Sequence, residues 1–181
     1  MEKNNSLPLT AYIGIDPGKS GGIVVISDNG LVIHKTPMPL LGDNLDVVAI
    51  QHLFTSLVGI YNPVVILEDV HSIFGSSASS NFTFGYVCGA IEAVVLCSKF
   101  KLIKVQPKKW QAEIWTVSDK VYKTKKPDQK NPSVDTKATS LCAVSRLFPS
   151  EDLRKTARSK IAADGIVDAL LLAEFGRRKN L

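Results

Sequence analysis

Cysteine is scarce in this chain: Cys88, Cys97 and Cys142 are odd in number, and no two stand in CxxC spacing. A disulfide framework and a zinc cluster are therefore excluded as organising devices. The apolar surroundings of the thiols read as reduced core residues in a reducing compartment, the cytoplasm. No window holds the roughly 18 uninterrupted apolar residues of a membrane span. The opening MEKNNSLPLT lacks a hydrophobic signal core, so neither insertion nor export is expected. Also missing are an internal repeat, a low-complexity tract and a G-x-x-x-x-G-K-[ST] loop, which argues against solenoids and P-loop nucleotide chemistry. What is present is 181 residues, 45% hydrophobic and 22% charged, enough for one domain with a real core and too few for a second of substantial size. A net charge of +5 and a pI near 9.1 suit an anionic partner.

β-rich runs at 11–16, 20–27 and 31–36 are separated by a glycine-containing loop and by the turn signal DNG, which predicts a three-stranded antiparallel start. Residues 44–59 carry Leu45, Val48, Ile50, Leu53, Leu57 and Val58 at helical spacing and close on Gly59, predicting an amphipathic helix. PVVILED at 63–69 is too short for a helix and unbroken in hydrophobicity, so it predicts a strand buried on both faces. A long apolar helix is expected over 81–98, a last strand over 101–105 and a short helix over 107–115. Asp135 caps a helix ending near Pro149, and a final helix covers 161–177. The order β-β-β-α-β-α-β-α-α describes a mixed sheet flanked by helices, an α/β architecture. One domain over 1–181 is expected, with a flexible leader at about 1–9 and an exposed, mobile basic loop at about 116–134.

Acids stand where apolar elements stop. Asp16 ends the first strand in YIGIDPGKSGG and Glu68 ends the fourth, while Asp164 and Asp168 lie at i, i+4 in the last helix. Residues so spaced share a face, with Cβ atoms about 5–6 Å apart, and two carboxylates there repel unless a cation lies between them. Ala163, Val167, Leu170, Leu171 and Ala173 form the apolar face that ties this helix to the sheet and holds the acids at its border. Asp69 adjoins Glu68 but faces the other way by strand alternation, whereas Glu68 shares a face with Val64 and Ile66. If the central strands set Asp16 beside Glu68, the carboxylates converge as hard oxygen donors for Mg²⁺ or Mn²⁺. Two such ions stabilise the attacking and leaving oxygens of phosphodiester hydrolysis. The glycines after Asp16 are expected to keep the loop slim enough for a phosphate backbone to approach. Each acid alone has an ordinary use as a turn residue, ion-pair partner or cap.

GIDPGKSGG, VVILEDV and DGIVDALLLAEFGRR, in this order, resemble the RuvC-like Holliday junction resolvases of the ribonuclease-H-like superfamily, over most of the chain. Phage and prophage members look most similar. The resemblance implies a ribonuclease-H-like five-stranded mixed sheet and a homodimer that cuts symmetric strands of a four-way DNA junction. It implies the cytoplasm of a bacterial or phage-infected cell, and Mg²⁺ or Mn²⁺, a pair of ions per active site, with no nucleotide cofactor. It makes Asp16, Glu68, Asp164 and Asp168 catalytic metal ligands. Bacterial members space the last two acids three apart, whereas here that position is Gly165 and the acid, Asp164, comes one residue earlier. Gly85 and Gly89 match a G-x-x-x-G segment at the dimer interface, and a glycine pair packing on the sheet explains the spacing equally well. His71 and Phe74 occupy the place from which the family presents an aromatic to unstacked bases, where stacking contributes about 1–3 kcal/mol. Phe74 is equally readable as a loop anchor in the core.

Lys19, Lys109, Lys120, Lys123, Lys125 and Lys126 are read as DNA-binding through phosphates, though a lysine run is also the ordinary composition of a solvated face. Lys108, Arg177 and Arg178 extend the same surface, and Lys160, one turn before Asp164, is set to steady transition-state charge. Two other classes compete. Actin-like sugar kinases and ATPases also begin with an Asp before a glycine-containing turn, but they need two such domains and a longer chain. A catalytically silent, structure-selective DNA-binding protein would keep the basic surface, yet acids in a DNA-facing cleft repel phosphate unless metal is bound. Among nucleases, the changed acid spacing and long loop leave open a broader branched-DNA or flap endonuclease.

Overall fold

The computed structural model describes residues 9–70, 75, 77–125 and 131–181. Its centre is a pair of apolar strands, β1 (Leu9–Asp16) and β6 (Tyr61–Glu68), buried along their middles. A parallel strand covered on both faces reads as a continuous hydrophobic run, as AYIGI and PVVIL do. β2 (Gly22–Ser27) and β3 (Val32–Pro37) fold back antiparallel from β1, and β6 pairs with β1 in parallel. β4 (Leu40–Leu41) and β5 (Asn44–Leu45) form a separate small hairpin, and β7 (Lys101–Val105) closes the main sheet beside β6. The five-stranded order is β3-β2-β1-β6-β7, the α/β mixed sheet expected from the sequence.

Helices cover both faces. α1 (Val47–Leu57) and α2 (Ala78–Cys97) pack on one side, where Ile50, Phe54, Leu57, Val87, Ile91 and Val95 meet Ile13, Ile15, Val25, Val65 and Leu67. α3 (Pro107–Ile114), α4 (Thr136–Leu147) and α5 (Asp164–Arg178) cover the other. There Trp110, Ile114, Ala143, Val144 and the apolar face of α5 meet Tyr12, Val24, Val64 and Ile66. The alternation is strict: odd-numbered residues of β1 face α1 and α2, even-numbered ones face α5. Helix starts are fixed by side chains that accept from orphan amides: Asp46 from Ala49 N at 2.9 Å, Ser77 from Ser80 N at 3.1 Å and Asp135 from Ala138 N at 3.1 Å.

α5 lies against β1 at backbone distance. A Cβ on Gly14 would stand 2.5 Å from Ala173 N and closer still to Ala169 O, so only glycine lets the helix seat there. The close seating buries Ala169 to Ala173 completely, at about 1.5–3 kcal/mol for each large apolar side chain.

Several expectations are corrected. The first helix starts at Val47, because the β4–β5 hairpin uses Leu45 and Asp46 caps. Val48 and Val58 are 62% and 59% exposed, and Phe54 fills the core in their place. Cys97 and Cys142 are exposed and Cys88 half-buried, so the thiols are not core residues; all three are free. The stretch 116–134 is not all open loop. It contains a 3-10 turn, Val117–Asp119, whose buried Asp119 takes 3.0 and 2.6 Å bonds from Arg146 Nε and Nη2, and Tyr122 bridges Val134. Leu9 already belongs to β1.

Candidate active site

Asp16 and Glu68 end neighbouring strands in the same register. Ile15 pairs with Leu67, so the next residue on each strand brings the two acids side by side, at a strand spacing of about 4.8 Å. Alternation turns both toward α5. Asp69, on the opposite face, has Lys104 Nζ at 3.5 Å. Asp16 Oδ1 accepts a long bond, 3.4 Å, from Gly18 N. Glu68 Oε1 accepts from Trp110 Nε1 at 2.9 Å, and the fully buried Trp110 ring is held edge-on by Trp115, centroids 5.9 Å apart.

Asp164 opens the first turn of α5, where the helix dipole favours a carboxylate, and Asp168 follows one turn later on the same face. The turn is held against the loop after β1: a Cβ on Gly165 would overlap Gly21 Cα and Ser20 O, and a Cβ on Gly22 would stand 2.9 Å from Gly165 O. Gly22 is therefore bare to admit the helix, and Gly21 to close its own turn, where a Cβ would overlap Asp16 O and stand 2.7 Å from Gly18 O. Asp168 is largely buried. Its Oδ1 has no hydrogen-bond partner, while the Ser140 hydroxyl of α4 donates to the carboxylate. Asp164 is more than half exposed and pairs through Oδ2 with Lys137 Nζ of α4 at 2.6 Å.

Electrostatically this is an acidic site in which Lys137, paired with Asp164, is the one cation in an ion pair with the four acids among the described residues. Burial, then the neighbouring Glu68, pushes Asp16 up to about 7 against the Gly18 amide, and Asp164 adds to the rise. Burial likewise pushes Asp168 up to about 7 against the Ser140 bond, with Asp16 and Asp164 adding to the rise. Glu68 is raised by burial and by Asp168, opposed by the Trp110 indole. All donors are carboxylate oxygens, and one buried oxygen has nothing bound to it; that chemistry fits a hard divalent cation. The acids line two separate depressions. A cleft of about 620 Å³ contains Asp16 and Glu68, and one of about 180 Å³ contains Asp164 and Asp168. Among the described residues no three His, Cys, Asp or Glu side chains are already drawn around one point.

The remaining sequence-derived sites separate clearly. Lys19 stands exposed on the rim of the larger cleft, and Lys108, Lys109, Lys120, Lys123 and Lys125 are exposed on or after α3. His71, Phe74 and Lys126 lie outside the described residues. Gly85 and Gly89 are exposed on α2 with nothing among the described residues within 4 Å of a Cβ on either, so neither packs on the sheet. Arg177 and Arg178 are engaged within the chain. At the far end of α5, Arg177 forks onto the buried Glu174 from Nε and Nη2 at 2.7 and 2.9 Å and Arg178 donates from Nε at 2.8 Å, because a buried carboxylate needs cationic partners. Lys160 precedes the helix rather than lying on it, since α5 begins at Asp164. Sequence reasoning missed Lys137, Ser140 and the role of Trp110. Lys137 and Ser140 are three apart on a helix whose cap was legible, so their common face was readable, but which way it points was not.

No protein-family model matches the sequence, and no curated protein matches it. Solved structures do. The structure of Thermus thermophilus RuvC in complex with Holliday junction substrate is 13% identical, covers 96% of this chain and 96% of that chain, and superposes with a TM-score of 0.58. A second Thermus thermophilus RuvC structure is 14% identical, covers 94% of this chain and 96% of its own, with a TM-score of 0.55. The fold is thus that of RuvC, the ribonuclease-H-like architecture expected from the sequence.

Proposed function

We propose that this chain is a metal-dependent endodeoxyribonuclease that resolves four-way DNA junctions by paired phosphodiester hydrolysis. One observation carries the reading: in a RuvC-like fold, Asp16 and Glu68 end paired parallel strands and face the N-terminal half of α5, where a buried oxygen of Asp168 has no partner among the described residues. The RuvC neighbour bound to a Holliday junction supports the substrate class.

Asp16, Glu68 and Asp168, with Asp164, would hold Mg²⁺ or Mn²⁺, which when bound supplies charge for the attacking and leaving oxygens of the displacement. The protein residues have definite tasks. Trp110 fixes one oxygen of Glu68 and leaves the other free. Ser140 orients Asp168. Lys137 balances Asp164 from α4 and stands ready for a phosphate oxygen. Lys19 on the rim, with Lys109, Lys120, Lys123 and Lys125, offers backbone contacts without sequence preference. A homodimer is supported by α2, which is long and apolar enough for a membrane span yet packs its Val87, Ile91 and Val95 side on the sheet. Its outer face leaves Phe82 78% and Tyr86 59% exposed beside Gly85 and Gly89, suiting a second copy. Free thiols at the surface support a reducing compartment, the cytoplasm.

The test is incubation of a synthetic four-way junction, with matched linear duplex and flap, in Mg²⁺, Mn²⁺ or EDTA. Metal-dependent paired nicks confined to the junction are expected. Equal flap cutting would make it a general branch nuclease, and tight binding without cutting a silent junction binder.

A further inference from the structure

The loop between β1 and β2 is a ridge with a depression on either side. Lys19 and Ser20 line both the cleft of Asp16 and Glu68 and a second groove of about 330 Å³. The opposite wall of that groove is the segment between α4 and α5, contributing Lys155, Ser159, Ile161 and Ala162, and its floor ends at Asp164.

That segment is built rather than slack. Leu153 is buried in the core beneath it, and Ala163 N donates to Leu153 O at 2.8 Å. Arg154 donates from Nε and Nη2 to the two oxygens of Asp152, each at 2.8 Å, and from Nη1 to the carbonyls of Ala157 and Ser159 at 3.3 and 3.5 Å. With Arg154 neutralised internally, the segment still presents Lys155, Arg158 and Lys160, all exposed and without an ion pair among the described residues. Lys19, across the groove, is likewise exposed and unpaired among them. Asp164 is the single acid lining the groove, and Lys137 already balances it.

We infer that residues 151–163 form a second phosphate-gripping wall, which together with Lys19 holds the nucleic-acid backbone where it passes from the carboxylate cleft over the ridge. The partner rests on the nuclease reading above. The chemistry rests on the groove and its rim: Lys19 and Lys155 line it with Ser20 and Ser159, and Arg158 and Lys160 stand exposed on the same segment outside it, a run of cations that fits a repeating anion better than a single one. Such contacts set affinity and register, not sequence preference.

Junction binding, followed by fluorescence anisotropy over a salt series in Ca²⁺, a hard cation that carboxylate oxygens accept, reads this directly. For every phosphate that a side chain no longer neutralises, the slope of log affinity against log salt becomes shallower by about 0.9, so Lys155→Ala/Arg158→Ala should reduce it by about 1.8. The control variant Lys99→Ala/Lys101→Ala removes the same charge at the opposite end of the sheet, and its slope should stay that of wild type. A slope unchanged by the first pair, or reduced equally by both, overturns the inference while leaving the nuclease reading intact. Failure of the wild-type protein to bind junction or duplex at all would overturn the nuclease reading, and this one with it.

Discussion

Asp168→Asn tests whether the buried acids form a site that lacks its cation. Burial and neighbouring acids push Asp168 from 3.8 up to about 7, so the folded protein holds this proton more tightly than the unfolded chain does. Between those values the native state binds more protons, and stability falls as pH rises; above about 7 the full cost applies. At about 1.36 kcal/mol per pKa unit, the charge costs about 4 kcal/mol at pH 8 and about 1 kcal/mol at pH 4.5. The asparagine removes that charge at every pH. In EDTA the variant should therefore melt above wild type by about 8–16 °C at pH 8 and by only a few degrees at pH 4.5, for a chain of this size. Adding Mg²⁺ at pH 8 should raise wild type and not the variant, and junction cleavage should be abolished. Circular dichroism melts at the two pH values, with and without metal, provide the readout. A gain equal at both pH values, or a variant less stable than wild type at pH 8, would refute the reasoning.

Gly14→Ala places a methyl group against the backbone of α5, so it should cost about 1–3 kcal/mol or more in denaturant titrations and lower cleavage by shifting Asp164 and Asp168 together. A Cβ overlap with main chain cannot be relieved by a rotamer change, and a silent substitution would count against the seating described. Trp110→Phe removes the indole N–H from Glu68; a hydrogen bond to a charged group is worth about 1.5–3 kcal/mol, and both metal affinity by titration calorimetry and cutting rate should fall. Gly85→Ala/Gly89→Ala meets nothing among the described residues and should stabilise α2 by roughly 1 kcal/mol per site. In sedimentation the same pair should weaken self-association, and undiminished dimer formation would move the interface off this face.

Much of the core was legible because strands covered on both faces have to be apolar throughout. AYIGI and PVVIL announce central strands by that requirement alone, and β7 was placed to the residue. Errors fell where a short-range signal had two uses. Asp46 could continue a helix or cap one, and the hairpin upstream decided for the cap. The two arginines that follow AEFG resembled surface cations until Glu174 proved to be buried beneath them. Of the thiols, apolar in sequence context, Cys97 and Cys142 lie on exposed helix faces and Cys88 is half-buried.

By itself the sequence determined which residues could carry charge at the ends of buried elements: Asp16, Glu68, and the i, i+4 pair Asp164 and Asp168. Strand alternation and helical period are local properties, and a single chain displays them. Tertiary structure decided the rest. The in-register pairing of β1 with β6 sets two of those acids side by side, and the glycine contacts of α5 with β1 and its loop bring up the other two. Only the packing of α4 supplies Lys137 and Ser140, and only the fold of 151–163 sets its cations across a groove from Lys19. Such juxtapositions arise from contacts between residues distant in the chain, and local periodicity carries no record of them.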